Sequence, residues 1–116
     1  MTMQIPSALQ VLEAASEILS DPARWHQGNY YSDDGEAYCS IGAIKKACRD
    51  MGCPAYWRTH ADDLLREVLM EMYPDLDVPD VDHVSIAAWN DAPERLHEEV
   101  VAVFEKARAL AAERGM

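Results

Sequence analysis

Ala8-Leu9-Gln10-Val11-Leu12-Glu13-Ala14-Ala15-Ser16-Glu17-Ile18-Leu19, closed by Ser20-Asp21-Pro22, decides the fold class. Ala8, Leu9, Val11, Leu12, Ala15, Ile18 and Leu19 return with the period of a helix that hides one face. Ser7 and Gln10 have the spacing of a capping box at its start. Pro22 ends it, because proline lacks the amide that would extend the ladder and pushes Asp21 out of helical geometry. The first helix is therefore expected over residues 8–20.

The same stripe recurs downstream. Ile41, Ala43, Ile44, Ala47, Cys48 and Met51 predict a second helix over 40–51, with Gly52 as its stop and Pro54 just beyond. Thr59 and Asp62 repeat the N-cap spacing before Leu64, Leu65, Val68, Leu69 and Met72, so a third helix is expected to run from there to about Tyr73-Pro74. Residues 75–84 hold Asp75, Asp77, Asp80 and Asp82 with no helical period and read as an acidic connector, followed by a short helical turn over Ser85–Trp89. Asp91, with Glu94 three residues on and Pro93 in the first turn, reads as the N-cap of a long last helix over 92–113.

One stretch breaks the pattern. Between Trp25 and Tyr38 lie Gly28, Asn29, Tyr30, Tyr31 and the turn signal Ser32-Asp33-Asp34-Gly35, which predicts a loop or a short β-hairpin between the first and second helices. The expected fold is thus mainly α: a compact bundle of about four helices in a single domain over 1–116.

The charge narrows the class of partner. Twenty-one acidic against ten basic side chains give a formal net charge of -11. Residues 1–53 carry seven acids and four bases (-3), and residues 54–116 fourteen acids and six bases (-8). Nucleic-acid backbones and anionic membranes are repelled by such a chain, and a cationic partner meets the C-terminal half first. The first residues lack the basic and apolar segments of a signal peptide, and no window is apolar enough for a membrane span. Cys39, Cys48 and Cys53 are odd in number and match neither a disulfide framework nor a zinc knuckle, so reduced thiols in a cytoplasm are expected.

Three places carry polar chemistry. Cys39 opens the second helix, where exposed amides favour a thiolate; as a nucleophile it would need a base such as His26 or His83, with Asn90 or Asp91 as orienter. As a small apolar residue it would simply fill the core beside a tight Gly42-Ala43 contact. Trp89-Asn90-Asp91 reads first as a core anchor, a turn residue and a cap, and second as an amide-carboxylate pair that orients a ligand. Trp25, His26, Asn29, Tyr30 and Tyr31, joined by Trp89, have the aromatic and amide composition of a recognition surface. The aspartates of the connector lack the glycine and final glutamate of a calcium loop, and no two histidines share i, i+4 spacing, so neither a metal site nor a cofactor is expected.

Leu12-x-x-Ala15, Trp25-x-x-Gly28, Asp34-Gly35, Cys39-x-x-Gly42-Ala43, Trp89-Asn90-Asp91 and Glu99-Val100 together resemble a domain-of-unknown-function family of short proteins from actinobacteria and their phages. The resemblance spans residues 9–111 and carries no activity, cofactor or catalytic residue with it. It implies a cytoplasmic accessory protein, phage- or prophage-related. The expected function is protein-protein binding, to a host protein or to a second copy as a homodimer. A thiol-dependent hydrolase or transferase built on Cys39, and an acidic nucleic-acid mimic, are the alternatives.

Overall fold

The Oγ of Ser7 accepts from the Gln10 amide at 3.2 Å, and the Gln10 side chain accepts from the Ser7 amide at 2.9 Å, so α1 (Ala8–Leu19) opens on the expected capping box. The computed structural model describes residues 6–53, 58–76 and 82–116, and of residues 58, 59 and 82–84 the backbone alone. After α1 the chain makes one 3-10 turn, Pro22–Arg24, capped by the Asp21 carboxylate on the Ala23 amide at 3.0 Å. Helix α2 (Ser40–Asp50) ends where Gly52 takes a φ of +74°, and the Cys53 amide reaches back to the Cys48 carbonyl at 2.9 Å.

Helix α3 (Arg58–Met72) begins one residue before Thr59, so Thr59 stands inside the helix instead of capping it. The expected stop holds, with the Tyr73 amide still bonded to Leu69 O at 2.8 Å. Asp77, Asp80 and Pro54 lie outside the described residues, as does the side chain of His83.

The last third of the chain departs from the sequence expectation. In place of a single turn over Ser85–Trp89 stands a ten-residue helix, α4 (Asp82–Asp91), and α5 (His97–Arg114) starts five residues later than residue 92. Asp91 is therefore the last residue of α4 and not an N-cap. Pro93 accounts for the shift: it disfavours helical geometry at Ala92, so the chain turns through 92–96 before a helix can restart. The amide of Leu96 is then satisfied by the Glu99 carboxylate at 2.8 Å. The described residues hold five α-helices and no strand, so the four-helix count is corrected to five. The hairpin expectation is also corrected. Only two isolated bridges, Trp25 with Tyr38 and Tyr31 with Tyr38, form in the loop, although its Ser32–Gly35 turn closes with the Gly35 amide on Ser32 O at 2.9 Å.

Packing follows the apolar stripes. Helix α1 lies against α2, α3 and α5, α2 also meets α3 and α4, and α3 meets α4 and α5. Leu12, Ile41, Ile44, Leu65, Leu69, Ile86, Trp89 and Phe104 are wholly buried between them. Two devices fasten α5 to α1. The His97 Nε2–H donates to the Leu19 carbonyl at 2.6 Å, one of the carbonyls a helix end leaves without a partner. At the other end Gly115 is left-handed, and the Leu9 amide donates to Met116 O at 3.3 Å.

Arg95 holds the α4–α5 corner. Its Nε–H donates to Trp89 O at 2.9 Å, and its guanidinium lies 4.5 Å from the Trp89 ring centre and 4.9 Å from that of Tyr73. Its Nη1 pairs with Glu99 at 3.3 Å. Arg95→Ala is expected to lower stability by about 2 kcal/mol, through the lost bond to a helix-end carbonyl and the lost cation–π contacts, and urea denaturation would show the shift in midpoint. Arg95→Lys should recover less than half of that loss, because an ammonium does not stack flat on two rings.

Candidate functional site

Asn90, wholly buried near the end of α4, is the hub around which the non-helical stretch organises. Its Oδ1 accepts from Trp25 Nε1 at 2.9 Å, from the Ser40 amide at 3.0 Å and from Ser40 Oγ at 2.7 Å. Its Nδ2 donates to His26 O and to Asp91 Oδ1, each at 3.0 Å. One side chain thus joins the loop, the first amide of α2 and the end of α4. The Ser40 amide is one of those a helix start cannot pair internally, so Asn90 caps α2 from another helix.

The loop adds its own bonds. Gln27 Nε2 donates to Asn90 O at 2.8 Å and to Ala92 O at 2.9 Å, closing the carbonyl end of α4. Gly28, at a φ of +103° that favours glycine, donates its amide to Asp91 Oδ1 at 3.0 Å. His26 Nε2 donates to Asn29 Oδ1 at 2.5 Å. Beyond them the Cys39 amide donates to Tyr30 O at 3.2 Å, and Lys45 Nζ lies 4.2 Å from the Tyr30 ring centre. Gly42 is what lets the loop come so close: a Cβ built there would stand 2.0 Å from the Tyr30 carbonyl oxygen.

Between the loop, the start of α2 and the end of α4 opens a pocket of about 260 Å³ lined by Gly28, Asn29, Tyr30, Cys39, Ala87 and Asp91. Cys39 is 2% exposed and its Sγ accepts from the Gly42 amide at 3.3 Å, which makes it the cap of α2. Burial pushes its thiol up; the Gly42 and Ile41 amides pull the other way without reversing the shift, and nearby Asp91 adds to the rise. The thiolate expected of a helix start is thus outweighed by desolvation. Alkylation of Cys39 by iodoacetamide, followed by peptide mapping, should become fast only at a pH above that needed for a free cysteine. The same shift makes Cys39 a source of stability that is complete below the ordinary thiol range and lost as pH climbs through the folded-state value, since the unfolded chain then releases its proton first.

Of the residues singled out in the sequence, Trp25, His26, Asn29, Tyr30, Cys39, Asn90 and Asp91 meet here. Trp89 does not: its ring packs at 5.7 Å from Tyr73 and under Arg95, inside the core. Tyr31 pairs edge-on with Tyr38 at 5.7 Å. Gln27 stands inside the aromatic and amide stretch of the loop, but its side chain closes the end of α4. Ser40 and His97 are structural partners that no motif announces, whereas Gly42 is legible as a point of tight contact. Among the described residues no three metal-ligating side chains cluster, and no helix is long and apolar enough to cross a membrane.

Fold and site together define a small helical protein whose Trp25–Tyr38 loop is clamped over two helix ends by a buried asparagine. The chain belongs to DUF6197, a family of unknown function, whose profile matches residues 3–110. Neither the curated proteins nor the solved structures yield a match to it.

Proposed function

We propose that this protein is a small cytoplasmic accessory protein of the actinobacterial or phage type that acts by binding another protein through the surface built by the Trp25–Tyr31 loop, Cys39 and Asp91. The observation that carries the proposal is convergence. Asn29 and Tyr30 of the loop, Cys39 at the start of α2 and Asp91 at the end of α4, far apart in sequence, line one open pocket, with the Gly28 amide bonded to Asp91. Asn90 fixes its walls, so an incoming partner has little ordering cost to overcome. A thiol-dependent hydrolase would use the same pocket, but the raised Cys39 thiol weighs against it.

Photo-crosslinking tests the binding role. With p-benzoylphenylalanine in place of Asn29, cells that naturally make the protein should yield one defined crosslinked partner. The same residue in place of exposed Ala109, on α5 and outside the pocket, should not yield it. No product at 29, or the same product at both positions, sinks the proposal.

A further inference from the structure

We infer that the pocket takes the cationic head of one lysine or arginine side chain of that protein partner, with Asp91 as its counter-charge; this rests on the binding role proposed above. Size is the first argument. At about 260 Å³ the pocket falls below the ~300–1,000 Å³ of sites that enclose drug-sized ligands and cofactors, and suits one side chain.

Its chemistry is the second. The start of α2 would ordinarily draw an anion, yet the Ser40 amide is already taken by Asn90 Oδ1 and the Gly42 amide by Cys39 Sγ. What the pocket offers instead is the Asp91 carboxylate, whose Oδ1 is held by the Gly28 amide and by Asn90 Nδ2, each at 3.0 Å. A carboxylate fixed by two donors is a prepared partner for an ammonium or guanidinium group. Tyr30 adds an aromatic wall, and it already has a cation, Lys45 Nζ, 4.2 Å from its ring centre. Lys45 opposes a second cation locally. The net charge of -11, concentrated in residues 54–116, opposes it at no distance and steers basic partners inward.

The test is an NMR titration of the isotope-labelled protein with the N-acetyl, N-methylamide forms of lysine, arginine, norleucine and glutamate. The lysine or arginine probe should move the amide signals of Gly28, Asn29, Tyr30, Cys39 and Ala87, and norleucine and glutamate should not. Asp91→Asn keeps an oxygen for the Gly28 amide, so the fold is expected to survive, as an unmoved Trp25 indole N–H signal would verify. That variant should bind the cationic probe at least about tenfold more weakly. Equal shifts with norleucine, undiminished binding by Asp91→Asn, or silence at these amides overturns the inference. If position 29 still crosslinks a partner, the binding role survives and only the cationic anchor falls; if position 29 crosslinks nothing, the role falls first and takes the anchor with it.

Discussion

Asn90→Ala is expected to remove about 4 kcal/mol of stability, a large share of what a domain of this size has, and to lower the thermal midpoint by well over ten degrees. The truncation strands the Trp25 indole N–H, the Ser40 amide and hydroxyl, and the His26 carbonyl at once. Each buried polar group left without a partner costs about 1–3 kcal/mol, and water reaching some of them keeps the sum below the simple total. Asn90→Asp separates hydrogen bonding from volume. The new carboxyl keeps an acceptor for Trp25 and Ser40, but ionised it sets an oxygen against His26 O and against the Asp91 carboxylate. It must therefore hold its proton in the folded protein, with a folded-state pKa above that of the unfolded chain. The variant should accordingly gain stability relative to wild type as pH falls toward 4 and lose it as pH rises. Chemical denaturation of the two proteins at several pH values would show the crossing trend, and parallel curves would mean that Nδ2 does not donate to those oxygens.

Gly42→Ala is the second large effect. The added methyl would lie 2.0 Å from a backbone oxygen and 3.0 Å from the carbonyl carbon of Tyr30, and neither can rotate away as a side chain could. Relief requires the 28–31 segment to lift, which breaks the Cys39 amide bond to Tyr30 O and disturbs the Gly28 bond to Asp91. A loss of about 3 kcal/mol or more is expected, against the slight gain that alanine usually brings inside a helix. The loss should fall unevenly: hydrogen exchange at the Cys39 and Gly28 amides should accelerate far more than at Leu65 or Phe104 in the core. Uniform acceleration would show that the loop and the helices open together.

Both predictions concern contacts that join segments distant in sequence, and that marks the limit of what could be read from the chain. The capping box at Ser7, the stops at Asp21-Pro22 and Gly52, and the stripes of α1, α2 and α3 are local matters, set by neighbours within a turn or two, and residue order records them. Helix α4 reads in the sequence as no more than a turn over Ser85–Trp89 because its buried face mixes polar with apolar residues while its outer side carries alanines. Ile86 and Trp89 share the wholly buried face with the polar Ser85 and Asn90, and Ala88 is exposed, so residue type does not separate the two faces and no amphipathic stripe stands out. Asp91 resembles a cap in the sequence but ends α4. Its spacing to Glu94 imitates an N-cap, while Pro93 keeps Ala92 from continuing either helix and leaves the carboxylate free for Gly28.

By itself, then, the sequence determined a mainly helical chain of strongly acidic charge, interrupted by one aromatic loop, because helix periodicity, caps and breakers act over a few residues and charge is a sum. Only the tertiary structure decided that the loop closes over two helix ends around Asn90, that Cys39 is a buried cap, and that Asp91 faces a pocket. Those outcomes depend on which unpaired amides and carbonyls come to lie beside which side chains some 50 to 65 residues away, as Ser40 and Trp25 do with Asn90. No local pattern encodes such a meeting.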